Sequence, residues 1–227
     1  MTTYKITSRW LHRIIFTLLL QFSLLAHADP THHATTGNAT AMQDGWAIAN
    51  YQLSGDAQVK AFEDLITLTS QTRKKYPDDV AVLIWEGIIK STYAGIKGGL
   101  GALSLARESR AALEKALEMD GKALDGAAYT SLGTLYFKMP GWPVAFGDQD
   151  KARTLLDKAL VIDPNGIDSN YFYADFLMSN KKYKEAEVYL LKAQQAAPRV
   201  NREVADEGRQ KDISKALEVV HHQLHNP

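Results

Sequence analysis

The sequence predicts an all-α fold: a right-handed stack of helix–turn–helix units with extended inter-helix loops and a C-terminal capping helix. Three observations predict it. From Gln43 onward strand signals are almost absent, and apolar residues recur at three- and four-residue intervals, the period of a helix face. Gly or Pro punctuates this stretch every 12 to 20 residues, the spacing of helix ends. Blocks of the chain also repeat themselves 34 residues apart.

The start of the chain stands outside that pattern. Lys5, Arg9 and Arg13 precede any acidic residue, and residues 14–25 are nearly all apolar. Ala26-His27-Ala28 then offers the small-x-small pattern of a signal-peptidase site. Residues 1–28 therefore read as an export signal cleaved after Ala28, with retention as an anchor the alternative. That run of twelve residues falls short of the ~20 that a membrane-spanning helix needs. Residues 29–42 are Thr-, His- and Ala-rich without apolar periodicity, which reads as a flexible leader. Residues 43–227 are left as the helical repeat domain.

Composition narrows the chemistry. The 26 basic and 26 acidic residues balance, and removing the three basic residues of the signal leaves 23 against 26. A mildly acidic chain argues against nucleic acid as a partner. The absence of cysteine excludes disulfides, thiolate metal sites and iron–sulfur clusters, and it also excludes a lipoprotein. The seven histidines sit at 12, 27, 32, 33, 221, 222 and 225, so the body of the chain holds no imidazole for a Ser-His-Asp triad. His221, His222 and His225 place an i, i+4 pair at the end, which reads as adventitious metal binding. No cofactor and no structural metal are expected, and the reading is of a periplasmic protein without a membrane span in its mature form.

The repeat is clearest late in the chain. Ala152/Ala186, Leu156/Leu190, Ala159/Ala193 and Pro164/Pro198 are each 34 residues apart. The alanines suit a close crossing of two helices, the leucines fill the space between them, and proline ends the second helix. Leu113, Ala116 and Gly121 match the end of an earlier unit. Gly87, Gly133 and Ala174 supply small residues on the first helices. Residues 43–77 read as a degenerate first unit, and residues 203–224 as an amphipathic helix that caps the stack.

Two units depart from the plain spacing. Ala174 and Ala186 are twelve residues apart, but Gly133 and Ala152 are nineteen apart and Gly87 and Ser109 are 22 apart. The extra residues, around 92–101 and 139–148, are Gly-rich and read as two extended loops lying side by side on one edge.

The 34-residue period resembles the tetratricopeptide repeat. More specifically, four segments together resemble the T-component proteins of TRAP-type transporters. These are Gly98-Gly99-Leu100-Gly101-Ala102-Leu103-Ser104, Ser131-Leu132-Gly133-Thr134-Leu135-Tyr136, Gly141-Trp142-Pro143 with Phe146-Gly147-Asp148, and Pro164-Asn165-Gly166-Ile167-Asp168-Ser169-Asn170-Tyr171-Phe172-Tyr173. The resemblance implies a periplasmic tetratricopeptide protein whose repeats surround a ligand-accessible pore or cleft. The partner it implies is a TRAP-type substrate-binding protein. Members are commonly lipoproteins, and this chain lacks the cysteine.

Candidate binding residues follow from both lines. Tyr93 and Lys97 lie in the first Gly-rich segment, where Lys97 offers a counter-charge for an anion in a backbone nest; glycines that merely let a loop turn are the alternative. Trp142 and Phe146 in the second segment suit a pocket wall or partner anchor, or a pin that holds the loop down. Tyr171 and Asp175, with Thr130, Thr134 and Phe137 on the preceding first helix, suit a polar–aromatic groove, or a solvated helix face. The function expected is non-catalytic: a protein–protein interaction and ligand-handling accessory, its ligand small and apolar or anionic. Solenoid ends and family precedent point to self-association. The alternatives are an assembly scaffold for a cell-envelope complex and, as a minor one, a hydrolytic enzyme using groove carboxylates.

Overall fold

The computed structural model describes residues 37–225, Leu100 by its backbone alone. The export signal and residues 29–36 of the leader lie outside the described residues. Nine helices are present among the described residues: α1 (Thr40–Tyr51), α2 (Gly55–Lys75), α3 (Val80–Lys97), α4 (Gly99–Met119), α5 (Ala123–Lys138), α6 (Gln149–Ile162), α7 (Ile167–Ser179), α8 (Tyr183–Gln194) and α9 (Glu203–His225). The only sheet-like pairing there is a single bridge between Gly141 and Gly147. None of these helices is long and apolar enough to cross a membrane. Helix α1 takes in the last three residues of the expected leader, because Met42 is fully buried and anchors that turn.

The repeat positions behave as their spacing demands. Ala116, Ala152, Ala159, Ala186, Ala193, Leu156 and Leu190 are all fully buried. Each buried leucine contributes about 1.5–3 kcal/mol by leaving water. The small residues mark the crossings. A Cβ on Gly87 would lie 2.4 Å from Leu113 Cγ, and one on Gly133 would lie 2.8 Å from Leu156 Cγ. Ser109 ties the α3–α4 crossing further by donating to the Gly87 carbonyl at 2.7 Å. Helix starts are fixed by Asp79, which accepts from the backbone N–H of Ala81 and Val82, and by Asp148, which accepts from that of Lys151.

The first Gly-rich segment is not a loop. Helix α3 continues through Lys97 and α4 starts at Gly99, so the ten extra residues lengthen two helices instead. Tyr93 and Ala94 are buried, which holds the added turn of α3 in place. The whole reversal is made at Gly98 and Gly99, both at positive φ (63° and 64°) where a side chain would be strained. Only the second segment, between α5 and α6, is a true loop.

The first turn of α5 is unusual. Leu124, Asp125 and Gly126 all have left-handed backbone angles (φ 49°, 57° and 73°) before the regular helix continues. A non-glycine residue in that region costs about 1–2 kcal/mol. Leu124 offsets this by packing against both hydrophobic clusters of the protein, one built on α1–α3 and the other on α3–α9.

The odd-numbered helices form an inner layer and the even-numbered ones an outer layer. Among the described residues the backbone of each outer helix packs only against its neighbours in sequence, and Lys151 of α6 reaches Glu114 of α4 at 3.9 Å. The inner helices touch all the way round: α1 to α3, α3 to α5, α5 to α7, α7 to α9, and α9 back to α1. Helix α9 therefore covers α8, as a cap should, and also closes the stack into a ring. The expected one-sided cap did not include that second contact. It exists because Gly208 presents bare backbone to Tyr51 and because Tyr51 donates to Asp212 at 3.2 Å.

Candidate functional site

The inner helices run parallel. Gln43 near the start of α1 meets Arg202 just ahead of α9, and Tyr51 at the end of α1 meets Gly208 and Asp212 within α9. Asn38 just ahead of α1 donates to Asp79 just ahead of α3 at 2.9 Å. Trp46 further along α1 packs on Trp85 at 5.7 Å and donates to Thr92 at 3.0 Å, so α3 runs in the same direction. Inside this ring lies a cavity of about 1080 Å³. Its walls are Trp46, Trp85, Ile88, Leu135 and Phe172, with Thr130, Ser131 and Thr134 between them. Its rim is made by the first residues of α1, α5 and α7 and by residues 196–202 ahead of α9. Helix N-termini carry partial positive charge, so four of them gather at this rim. A second cavity, of about 610 Å³, opens toward the C-terminal end of α1. The two cavities share Trp46, Thr92, Phe172 and Arg209, which form a waist across the ring.

A charged clasp holds the rim together. Asp168 of α7 accepts from Arg199 at 2.6 Å and from Arg209 at 2.8 Å. Arg199 also grips Asp206 through its side chain and its backbone N–H, and Arg209 reaches Asp212 at 3.1 Å. The Arg209 guanidinium lies over the rings of Tyr171 (4.3 Å) and Phe172 (4.5 Å). Burial acts to raise the Asp168 carboxyl, but Arg199 and Arg209 overcome it and hold it far below the usual carboxylate range. Burial pushes the Tyr51 and Tyr171 phenols up. The clasp ties α7, the α8–α9 connection and α9 to one another, and Asp212 carries it on to α1.

Of the residues expected from sequence, the structure brings Thr130 and Thr134 to the cavity. Both hydroxyls bond carbonyls one turn earlier in α5, Thr134 to Thr130 at 2.8 Å. The others do not line it. Tyr93 is a core residue, stacked on Phe62 at 5.8 Å and bonded to Glu63 on α2. Lys97 is exposed and lies over the Tyr93 ring at 5.4 Å, and Gly95 before it is helical. Phe137 packs edge-on to Phe176 at 5.6 Å, between α5 and α7. Tyr171 sits beneath Arg209, and Asp175 pairs with Lys138 at 2.7 Å. Lys138 itself lines the cavity.

The second loop divides its two aromatic residues. Phe146 is half-buried, edge-on to Tyr136 at 5.6 Å and covered by Arg110 at 4.6 Å. It pins the loop, which is closed by Gly147 donating to the Pro140 carbonyl at 2.8 Å. Trp142, in a cis peptide bond to Pro143, is 89% exposed, and Val144 beside it is 59% exposed. The two loops expected side by side reduce to this one.

Residues that sequence reading passed over carry most of the site: Trp46, Trp85, Phe172 and the arginines at 199, 202 and 209. Their signal was the cluster of three arginines around the start of α9, each an expensive residue to place beside a helix stack. The C-terminal histidines form no metal centre: His221 bonds Glu187 at 2.9 Å, and no group of three potential ligands occurs among the described residues.

The helix pairs, their 34-residue register and the buried alanine positions point to one kind of repeat. Residues 144–206 match the tetratricopeptide-repeat family. A tetratricopeptide repeat is present there, spanning α6, α7, α8 and the start of α9. Among curated proteins no match to the chain is found. The tetratricopeptide region includes Asp168, Arg199 and Arg202, so it supplies part of the rim of the cavity, the rest coming from α1 and α5.

Proposed function

We propose that this protein is a non-catalytic, exported accessory whose helical ring handles a ligand and engages a protein partner. The observation that carries the reading is the closure of the inner helices around an open, largely apolar cavity. A solenoid used only as a concave peptide groove would have no need to bring its first and last helices together. The tetratricopeptide repeat at residues 144–206 suits binding to another protein. Trp142 and Val144 give that partner an apolar anchor on the outside of the ring.

The combination of segments that resembles TRAP T-components favours a TRAP-type substrate-binding protein as the partner. Removal of residues 1–28 would deliver the mature protein to the periplasm, and without cysteine it would carry no lipid there. The placement of Trp142 away from the cavity also favours a second reading, in which a partner is gathered for envelope assembly without any ligand.

A direct binding measurement separates them. The exported protein, immobilised, is expected to retain a purified TRAP-type substrate-binding protein, and Trp142→Ala is expected to lose it at unchanged melting temperature. Absence of binding by the wild-type protein would overturn the TRAP assignment and leave the scaffold reading.

A further inference from the structure

We infer that the larger cavity binds an apolar monocarboxylic acid, its carboxylate on the Arg202 guanidinium and its body against Trp85, Trp46 and Phe172. The inference rests on the reading of the ring as a ligand-handling device.

The clasp and Arg202 bring three carboxylates and three arginines together beside a cavity that Asp44, Asp125 and Asp163 also line, and within this group the pairing is uneven. Asp168 is shared by Arg199 and Arg209, Asp206 is held by Arg199, and Asp212 by Arg209 and Tyr51. Arg202 has no carboxylate within 4 Å among the described residues. Its Nε is buried with no hydrogen-bond partner, and its Nη1 reaches Gln43 Oε1 only at 3.4 Å. The guanidinium lies over the Trp85 ring at 5.3 Å, on the wall of the cavity. Burial and the neighbouring Arg199 both oppose its charge. A guanidinium stays protonated in proteins, so the cost is not relieved by loss of a proton. An anion entering the cavity would relieve it, through charge-assisted hydrogen bonds to N–H groups now short of partners.

Charge and shape narrow the class. One guanidinium without a direct ion pair, already favoured at a distance by Asp168 and Asp206, matches a singly charged anion. A phosphate monoester carries about −1.5 to −2 at neutral pH and would leave excess negative charge beside Asp168 and Asp206. Inside the rim Trp46, Trp85, Ile88, Leu135 and Phe172 form an apolar wall interrupted by the hydroxyls of Thr130, Ser131 and Thr134; that apolar part suits a hydrocarbon body, and the volume is ample for one. The Arg202 position, one residue before α9, adds the partial positive charge of that helix N-terminus on the same side.

The test uses decanoate, 1-decanol and decyl phosphate, titrated into the full-length protein by calorimetry and by tryptophan fluorescence. Decanoate is expected to bind about tenfold or more tighter than 1-decanol, and tighter than decyl phosphate. Arg202→Gln is expected to lose that preference while keeping its affinity for 1-decanol, and Arg202→Lys to fall between. Equal binding of decanoate and 1-decanol by the wild-type protein would overturn the carboxylate site and leave ligand handling intact. So would tighter binding of decyl phosphate, or an Arg202→Gln variant with wild-type affinity for decanoate. Failure of all three ligands to bind would overturn both the carboxylate site and the ligand-handling reading. The three-ligand comparison on the wild-type protein decides the matter even if the Arg202→Gln variant does not fold.

Discussion

Gly208 of α9 lies flat against the ring of Tyr51 in α1, so close that a Cβ on Gly208 would fall 2.2 Å from Tyr51 Cγ. Cγ is the near end of the side chain and cannot swing clear without moving its backbone. Gly208→Leu is therefore expected to force α1 and α9 apart, at about 1–3 kcal/mol. That corresponds to a drop of about 2–10 °C in melting temperature. Limited proteolysis should show new cleavage between α1 and α2, at residues 52–54. An unchanged melting temperature and cleavage pattern would mean that the seam contributes nothing to the ring.

Asp168 links two arginines, one of them buried, and its replacement should be felt in stability with a defined pH dependence. Its carboxyl is held well below its unfolded value of about 3.9. The stabilising contribution is thus complete above about pH 4 and is lost as pH falls below that value toward the lowered one. Asp168→Asn is expected to cost about 2–4 kcal/mol at pH 7, between the values for exposed and buried pairs. The gap between wild type and variant should narrow as pH falls below about 4. Denaturant unfolding at a series of pH values checks both points, and a gap that widens in acid would contradict the clasp.

The loop aromatics should separate cleanly. Phe146 is wedged between Tyr136 and Arg110, so Phe146→Ala is expected to lower stability by about 1–3 kcal/mol. Trp142 touches little, and Trp142→Ala should change stability by no more than about 0.5 kcal/mol. Thermal melts of the two variants side by side provide the measurement. Equal losses would mean that Trp142 is also a structural pin.

Gly87 and Leu113 form a pair that a double-mutant cycle can read. Gly87→Ala places a Cβ 2.4 Å from Leu113 Cγ and is expected to cost about 1–3 kcal/mol. In a Leu113→Ala background the same substitution should cost far less, because the obstructing atoms are gone. The expected coupling is about 1–3 kcal/mol, and strict additivity would show that the two helices can simply slide.

The helices were legible because their signals are local. Ala152, Leu156 and Ala159 recur at Ala186, Leu190 and Ala193, and burial at these positions depends only on the immediate neighbour helix. Ring closure was not legible, because nothing in the spacing of Tyr51 and Gly208 says that they meet. The stretch around Gly98 misled for a physical reason. Glycine permits a loop but does not impose one, and Tyr93 with Ala94 had enough burial to keep α3 helical. The site was legible only in Thr130 and Thr134, which face inward by helix periodicity. Arg199 and Arg202 belong to the connection between α8 and α9 and Arg209 to α9 itself, where no repeat register applies. The roles of Arg199 and Arg209 depend on Asp168, 31 and 41 residues away in sequence.

The α1–α9 seam also orders the assembly of the molecule in time. Every other inner contact joins helices that are neighbours or next neighbours along the chain, and each can form as soon as its second helix emerges. Tyr51 and Asp212 are 161 residues apart. Until α9 has emerged, the face of α1 that meets it stays exposed, and the cavity remains an open trough. A protein made or exported from its N-terminus onward thus acquires its enclosed binding space in a single late step, after the repeats themselves are in place.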